Sequence, residues 1–326
     1  MNATQFPHRA ASPSGLSAEL NANGSLRRMD CGDIMLSLFL GNETDGGLAN
    51  LFLRCCGEVV PLIGPGGPAV YQKDERGMTA RGTWGDLVFR VRLVLAESAT
   101  AWFWHVELEN TGKEKVSCDL IHTQDIGLAH YGAIRLNEFY VSQYVDHAPL
   151  QHAAKGVAVA SRQNQSMGGR CPWSVIGSLG KGVSFATDAL QFHGLAARSG
   201  AEPAALKDGL PGKRLQHEHS MVSIQDEEFV IAPGEKITRG FFGFFVADKP
   251  AATSPDDVSL IDAALALPEA VCPPWPETND SRGPAHGLFS SAHLLESLDL
   301  DDTEIRALFG DSPRHVESEN GVPLSF

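Results

Sequence analysis

Apolar positions along this chain recur with period two more often than with the helical period. In "WFWHVELEN" (102–110) Trp102, Trp104, Val106 and Leu108 fall on one side of an extended chain. Phe103, His105, Glu107 and Glu109 fall on the other, which predicts a strand with one buried and one largely wet face. "LVFRVRLVL" (87–95) behaves the same way, with Arg90 and Arg92 on the exposed side. The two segments read as antiparallel neighbours joined through "AESAT". "NANGSL" places an Asn-Gly turn between "LSAEL" and the next apolar run, a hairpin signal because glycine readily takes positive φ. "ENTGKEKV", "GSLGKGV" and "APGEKI" repeat that turn chemistry, and long amphipathic windows are few. With 33 glycines in the chain, the pattern predicts a mostly β protein, a large antiparallel sandwich.

The pattern changes after "FFGFFVADKP". "SPDDVSLIDAALALPEA" has a Ser and Asp start, helical spacing and a proline stop, and predicts a helix. "CPPWPETNDSRGPAHG" is too rich in proline for regular structure over most of its length. "SSAHLLESLDL" and "DDTEIRALFG" read as short helices, the second with Asp301 and Glu304 spaced as a capping box and Gly310 as its stop. The final "DSPRHVESENGVPLSF" shows no periodicity. The expected organisation is a disordered N-terminus at 1–13, a β-sandwich at 14–250, and a helical and Pro-rich linker at 251–326.

Composition narrows the classes. A formal net charge of -14 without a basic stripe argues against nucleic acid as a partner. No apolar run approaches the roughly 18 to 20 residues of a membrane helix, the nearest being short segments such as "IMLSLFL". The N-terminus lacks the apolar centre of a signal peptide. Six scattered cysteines without C-x-x-C spacing fit a reduced compartment, so a cytoplasmic protein is expected.

Phosphate-loop, zinc-helix and nucleophile-elbow motifs are absent from the sequence, and "GPGGPA" (64–69) reads as a turn because no helix follows it. His217 and His219 in "QHEHS" share one face of a possible strand, but nothing in the sequence completes a metal site, and no metal is expected. His122 and His130 receive the same reading. Asp125, Glu138 and Asp146 are the carboxylates a glycosidase would use, and no second acid is paired with Asp125 by sequence. Asp125 follows an apolar strand and reads as a carboxylate accepting turn hydrogen bonds. Two stretches have carbohydrate-compatible chemistry. "NEFYVSQYVDHAPL" (137–150) brings Tyr140, Gln143 and Tyr144; "ASRQNQSMGGRCPW" (160–173) brings Arg162, Gln163, Arg170 and Trp173. Rings cover the apolar faces of a pyranose while amides and guanidinium groups reach its hydroxyls. A strand edge and a polar loop beside a buried Trp173 are the alternatives.

"GLSAELNANGSLRRMDCGDIMLSLF", "LNEFYVSQYVDH", "ASRQNQSMGGRCPW", "TDALQFHG" and "HEHSMVSIQDEEFVIAPGE" together resemble the N-terminal region of 1,2-β-oligoglucan phosphorylases. These are similar to cellobiose phosphorylases of glycoside hydrolase family 94 and to the phosphorylase-like part of cyclic β-1,2-glucan synthases. The resemblance implies a mutarotase-like β-supersandwich, linker helices and then an (α/α)6 barrel. It places the catalytic aspartate on that barrel, where inorganic phosphate, the co-substrate, attacks the anomeric carbon with inversion. Twelve helices do not fit into the roughly 60 residues after 265, so the general acid is expected outside this chain and no catalytic residue is assigned. The expected role is a carbohydrate-associated domain that shapes the substrate cleft or supports the barrel. Its implied partners are a β-glucan oligosaccharide, the barrel in cis or trans and, as an open option, a second copy. Asp125 and His193 join the candidate sugar contacts. Two alternatives stay open: a sugar epimerase or mutarotase-like enzyme, using His193 or His217 with Asp125, and a structural docking module.

Overall fold

A computed structural model describes residues 8–21, 23–42, 49–64, 66–195, 202–216, 219–275, 300–310, 316–319 and 322–325. The chain opens with β1 (His8–Ala11), β2 (Leu16–Leu20), β3 (Leu26–Cys31) and β4 (Ile34–Met35). Then come β5 (Ala49–Cys55), β6 (Glu58–Pro61), β7 (Val70–Asp74) and β8 (Gly77–Trp84). β9 (Leu87–Leu95), β10 (Ala101–Asn110), β11 (Val116–Asp125) and β12 (Ala129–His130) follow. Two short helices, α1 (Tyr131–Leu136) and α2 (Glu138–Gln143), lead into β13 (Val145–His152), β14 (Gly156–Gln163), β15 (Trp173–Ser178) and β16 (Gly182–Asp188). α3 (Ala189–His193) and α4 (Ala204–Asp208) precede β17 (Ser220–Asp226), β18 (Phe229–Ile231) and β19 (Lys236–Val246). The C-terminal part holds α5 (Val258–Leu265), α6 (Asp302–Phe309) and the antiparallel pair β20 (Val316–Glu319) and β21 (Val322–Ser325).

Among the described residues, one 14-stranded sheet runs in the order β6-β5-β11-β17-β16-β14-β15-β19-β10-β9-β8-β7, with β13 on β14 and β18 on β11. Its two halves meet at a single parallel bridge, Gly156 to Gly182. There the sheet folds back on itself. Trp102 of β10 donates its indole N–H to the Gln124 side chain of β11 at 3.2 Å, and the His122 ring lies 5.2 Å from Phe241 of β19. Between the halves lies the main core, with Leu51, Leu53, Leu120 and Val222 from one side and Phe89, Val91, Trp104 and Phe241 from the other. A second, 5-stranded sheet, β1-β2-β3-β4-β12, adds Leu16, Leu20 and Met29 to that core. The expected mostly β, large antiparallel sandwich is what forms.

The predicted pairing of 87–95 with 102–110 is present in register from Trp102–Leu95 to Asn110–Leu87. The Asn-Gly hairpin is present too, with Gly24 at φ 79° between β2 and β3. Gly243 has a different role. A Cβ there would come within 2.0 Å of the Trp102 indole, so the cross-strand partner of Trp102 has to be glycine.

Three expectations need correction. The first concerns the N-terminus: His8–Ala11 pairs with Leu20–Ser17 and buries Ala10, so order begins inside the stretch 1–13. The second concerns the tail, where 316–319 and 322–325 pair as strands although no periodicity announced them. The third concerns the face of β10 expected to be wet. Phe103 and His105 are both buried, because the segment after β19 returns across them. Ile261 and Ala264 of α5 close over Phe103, Ala158, Val175 and Phe242. The Glu269 carbonyl lies 2.9 Å from His105 Nε2, Arg92 donates to the Pro274 carbonyl at 2.7 Å, and the Trp275 indole donates to Glu107 at 3.1 Å. The predicted helix is there, entered through a capping box between Ser254 and Asp257 with Pro255 at the first position. α6 likewise carries the predicted Asp301 and Glu304 box and ends at Gly310. Residues 290–299 of "SSAHLLESLDL" and most of the Pro-rich stretch lie outside the described residues.

On the opposite flank α3 and α4 cover the outer face of the other half with Phe192, Ala205 and Leu206 against Ile121 and Met221. The molecule is therefore layered as helix, sheet, sheet, helix. Trp173→Ala would leave a large void under α5 and is expected to reduce stability by about 3–5 kcal/mol, read from the midpoint of urea unfolding. Gly243→Ala should also destabilise, since the fully buried Trp102 has nowhere to move.

Candidate functional site

Alternation along β11 sends Leu120, His122 and Gln124 into the main core, and Ile121, Thr123 and Asp125 to the outer face. At the Asp125 end of that face a cavity of about 430 Å3 opens. Asn50 and Phe52 come from β5, Thr123 and Asp125 from β11, and His219 and Met221 from the edge of β17. Phe192 and His193 close it from α3, and Phe39 and Leu40 from the loop after β4.

Asp125 is almost wholly buried, and one carboxylate oxygen accepts the backbone N–H groups of Leu38 (2.7 Å) and Phe39 (2.8 Å). The expected turn-bonded carboxylate is thus present, and it fixes the loop that brings Phe39 to the wall. The Phe39 ring stands edge-on to His219 at 4.7 Å, and Phe52 lies 5.5 Å from Phe192. Burial, reinforced by the neighbouring His193, holds the His219 pKa down to about 4. His193, at the more exposed C-terminus of α3, is also lowered by burial. At neutral pH both rings are therefore uncharged, each with one N–H donor and one acceptor nitrogen. Aromatic walls with neutral imidazoles, an amide, a hydroxyl and, among the described residues, a single carboxylate suit an uncharged, hydroxyl-rich ligand better than an ionic one.

A second region gathers most of the other predicted residues. Asn137 caps α2 by accepting the Tyr140 backbone N–H at 2.9 Å. One turn later the Tyr140 and Tyr144 hydroxyls hydrogen-bond at 2.9 Å with their rings 4.9 Å apart, which raises the Tyr144 pKa. Both tyrosines are exposed, as are Tyr131, Leu136 and Phe139, so α1 and α2 present an aromatic surface to solvent. Phe139 also touches Phe39 edge-on at 6.1 Å, which joins this surface to the cavity wall. The 137–144 stretch and the "SRQN" segment are neighbours: Asn164 donates to the Tyr144 carbonyl at 2.9 Å, and β13 pairs with β14 from Val145–Gln163 onward.

Within this neighbourhood the residues have separate tasks. Gln143 is exposed, and its carbonyl accepts from Gln216 at 2.9 Å. Arg162 donates to the carbonyls of Lys249 (2.8 Å) and Pro250 (2.7 Å), tying down the chain as it leaves β19. Arg170 pairs with Asp33 at 2.6 Å. Two assignments need correction. Gln163 is fully buried, with its amide donating to the carbonyls of Gly127 (3.0 Å) and Val141 (3.3 Å), so it has no surface to offer a sugar. Trp173 is also fully buried beneath α5 and donates to Thr253 at 3.0 Å, so its ring cannot act as a stacking platform.

The structure thus brings Asp125 and His193 together in the cavity and groups Tyr140 and Gln143 of α2 and Tyr144, which caps it, beside that cavity. Arg170 and Trp173 lie among neither lining. Of the histidine pair in "QHEHS", His219 lines the cavity and His217 lies outside the described residues. Among the described residues no group of three histidine, cysteine or acidic side chains is placed to hold a metal. Sequence reasoning missed Phe39, Asn50, Phe52 and Phe192 as lining residues. Only the outward alternation of Thr123 with Asp125 hinted at a shared face.

A two-layer β-supersandwich with a small polar and aromatic cavity on one outer face defines the class of domain. Residues 19–243 match the family described as the SOGP N-terminal domain, and the chain belongs to that family. It is 32% identical over 319 residues to a 1,2-beta-oligoglucan phosphorylase of Listeria innocua serovar 6a. The match covers 95% of this chain and 27% of that protein, so the chain spans about a quarter of the relative's length. Similar solved structures include a bacterial glucoamylase, with TM-score 0.44, 8% identity and coverage of 80% of this chain and 36% of the other. A galactose mutarotase related enzyme from Lactobacillus acidophilus gives TM-score 0.40 at 10% identity, covering 76% of this chain and 99% of its own. Among the described residues no helix is long and apolar enough to cross a membrane.

Four histidines are held neutral by burial: His105, His122 and His219 with pKa values near 4, and His147, between the Ser161 and Ser220 hydroxyls at 2.9 Å each, near 3. These values lie below the ordinary 6.5, so below that pH the unfolded chain takes up protons that the folded chain refuses. The stability contributed by neutral burial is complete above about pH 6.5 and is lost as pH falls towards 4. The urea midpoint should be level from about pH 8 to 7 and then decline steadily; a level profile down to pH 4.5 would contradict neutral burial.

Proposed function

We propose that this chain is the carbohydrate-associated sandwich of an inverting β-glucan phosphorylase, a domain that shapes the substrate cleft or supports the catalytic barrel and is not catalytic alone. The observation that carries this reading is the 32% identity to a 1,2-beta-oligoglucan phosphorylase across 95% of the chain. The cavity chemistry agrees with it. Asp125 is the one carboxylate in its described lining, and two backbone N–H groups occupy one of its oxygens, so the acid pair of a glycosidase is not assembled there. The stretch 251–326, whose first part packs on the sandwich, would lead on to a barrel supplied in cis or in trans. In this reading Tyr140, Gln143 and Tyr144 face a glucan or the barrel, His193 and Asp125 line a sugar-sized recess, and phosphate enters only with the barrel.

Titration of the chain with sophorose and longer β-1,2-glucans, followed by ligand-detected NMR, tests sugar contact. Binding is expected, with Tyr144→Ala weakening it roughly threefold to tenfold, the equivalent of about 0.5–1.5 kcal/mol of lost ring contact. Binding unchanged by Tyr144→Ala and by His193→Ala would remove both surfaces from consideration. No binding at millimolar sugar, with a folded protein, would transfer α1 and α2 to the docking role.

One observation favours a second reading, exchange of sugar anomers: the cavity places two neutral imidazoles and a carboxylate around one space. Fresh α-glucose and α-galactose should then equilibrate faster with the protein than without it, and His219→Ala should abolish the difference. Equilibration at the buffer rate with wild type would sink this option.

A further inference from the structure

Three of the six cysteines, the adjacent Cys55 and Cys56 and the sequence-distant Cys118, meet at one end of the β5 and β11 pair. Cys55 and Cys118 are directly opposed cross-strand partners, both buried on the core side of the sheet. Cys56 follows Cys55 in the two-residue turn that joins β5 to β6, with its sulfur 3.5 Å from that of Cys55. That turn runs through left-handed backbone, Cys56 at φ 56° and Gly57 at φ 86°. Asparagine or glycine suits the first of these positions, so cysteine is held there against its conformational preference. The turn places Cys56 in solvent while its neighbour and the third thiol stay buried.

Covalent geometry separates the roles of the three sulfurs. Cross-strand partners have Cα atoms about 4.5–5.5 Å apart, inside the range of about 4.4–6.8 Å that a disulfide accepts. Adjacent residues on a trans peptide are about 3.8 Å apart, short of that range. A Cys55–Cys56 bond is therefore a transient species, and Cys55–Cys118 a resting one. Metal capture is a poor fit, since no group of three such side chains among the described residues is placed to hold an ion.

We propose that Cys56, Cys55 and Cys118 form a thiol relay in which Cys56 accepts oxidation by a hydroperoxide and the disulfide settles between Cys55 and Cys118. The Cys56 thiolate attacks hydrogen peroxide, forming an S–O bond as the O–O bond breaks, and leaves as a sulfenic acid with release of hydroxide. Cys55 attacks that sulfur, and the oxygen departs as water with the Cys55 proton. Cys118 then attacks the Cys55 sulfur and expels the Cys56 thiolate, which takes up the proton lost by Cys118. The sum is two thiols and one peroxide giving one disulfide and two waters, with Cys56 restored. Burial raises the pKa of both Cys55 and Cys118, which keeps them protonated and makes the transfers to the interior the slow steps near neutrality. The product staples β5 to β11, the strands that carry Asn50, Phe52, Thr123 and Asp125 at the cavity end.

The test oxidises the full chain with one equivalent of hydrogen peroxide, counts thiols after denaturation and maps tryptic peptides without reduction. The expected result is loss of two of the six thiols and a cross-link between peptides 55–73 and 116–135, with a rate that rises from pH 7 to pH 9. Cys56→Ser, in an exposed turn, should keep the fold and slow the cross-link by about tenfold or more. Cys118→Ala should stop the reaction within peptide 55–73. A cross-link formed at the same rate by Cys56→Ser would overturn the relay. So would conversion of Cys56 to its sulfinic acid with no cross-link, or cross-links dominated by Cys31, Cys171 or Cys272.

Discussion

Trp102 and Phe103 are consecutive on β10, so alternation sends two bulky aromatic side chains to opposite faces of one sheet, and both are removed from water. Each full burial contributes roughly 1.5–3 kcal/mol, more for the larger ring, and a sheet with one wet face could satisfy only one of them. The inner face meets the requirement by folding the sheet back on itself at Gly156 and Gly182. The outer face meets it with a helix that arrives from beyond β19. Arg162, Trp173 and His105 are all recruited to hold that cover, the first two through hydrogen bonds to 249–253 and the third to Glu269. Residues with attractive binding chemistry in the sequence are thereby committed to packing.

Among the described residues the other outer face is covered less completely, and the cavity lies at its less covered end. Alternation on β11 and β5 must send polar as well as apolar side chains to that face. Over Ile121 α3 and α4 supply partners; at the Asp125 end, beside Phe192 and His193 of α3, Thr123, Asn50 and the Asp125 carboxylate line open space. The loop after β4 can form a wall there only because Asp125 accepts two of its backbone N–H groups. A buried carboxylate used in this way organises the recess through the backbone it holds. The neutral imidazoles of His193 and His219 keep the remaining lining uncharged.

Local patterns told much of this in advance. The strand pairing of 87–95 with 102–110, the Asn-Gly hairpin and the capped helices α5 and α6 each depend on residues within a few positions of one another. Asp125 was legible for the same reason, since a carboxylate at the end of an apolar strand has turn N–H groups within reach. What covers Phe103 was not legible, because the covering residues come about 160 positions later and nothing local on β10 distinguishes a wet face from one that is sealed late. Trp173 and Gln163 misled for that reason: beside arginines and amides their composition suggests a binding loop, and only the long-range contacts to Thr253, Gly127 and Val141 reveal them as interior. The cavity draws on several separated segments, so periodicity could mark each one's face but not their meeting.

The cover over β10 also has a position in time. His105 and the carbonyl that closes over it are 164 residues apart. At a synthesis rate of about 5–20 residues per second, roughly 8–30 s pass between the emergence of that strand and the emergence of its lid. Phe103 waits through that interval, Trp173 and Phe242 join it as their strands emerge, and the three form an open apolar strip until α5 follows. A partly made chain is thus at its stickiest when its sheets are nearly finished, and it becomes safe only when α5 has left the ribosome.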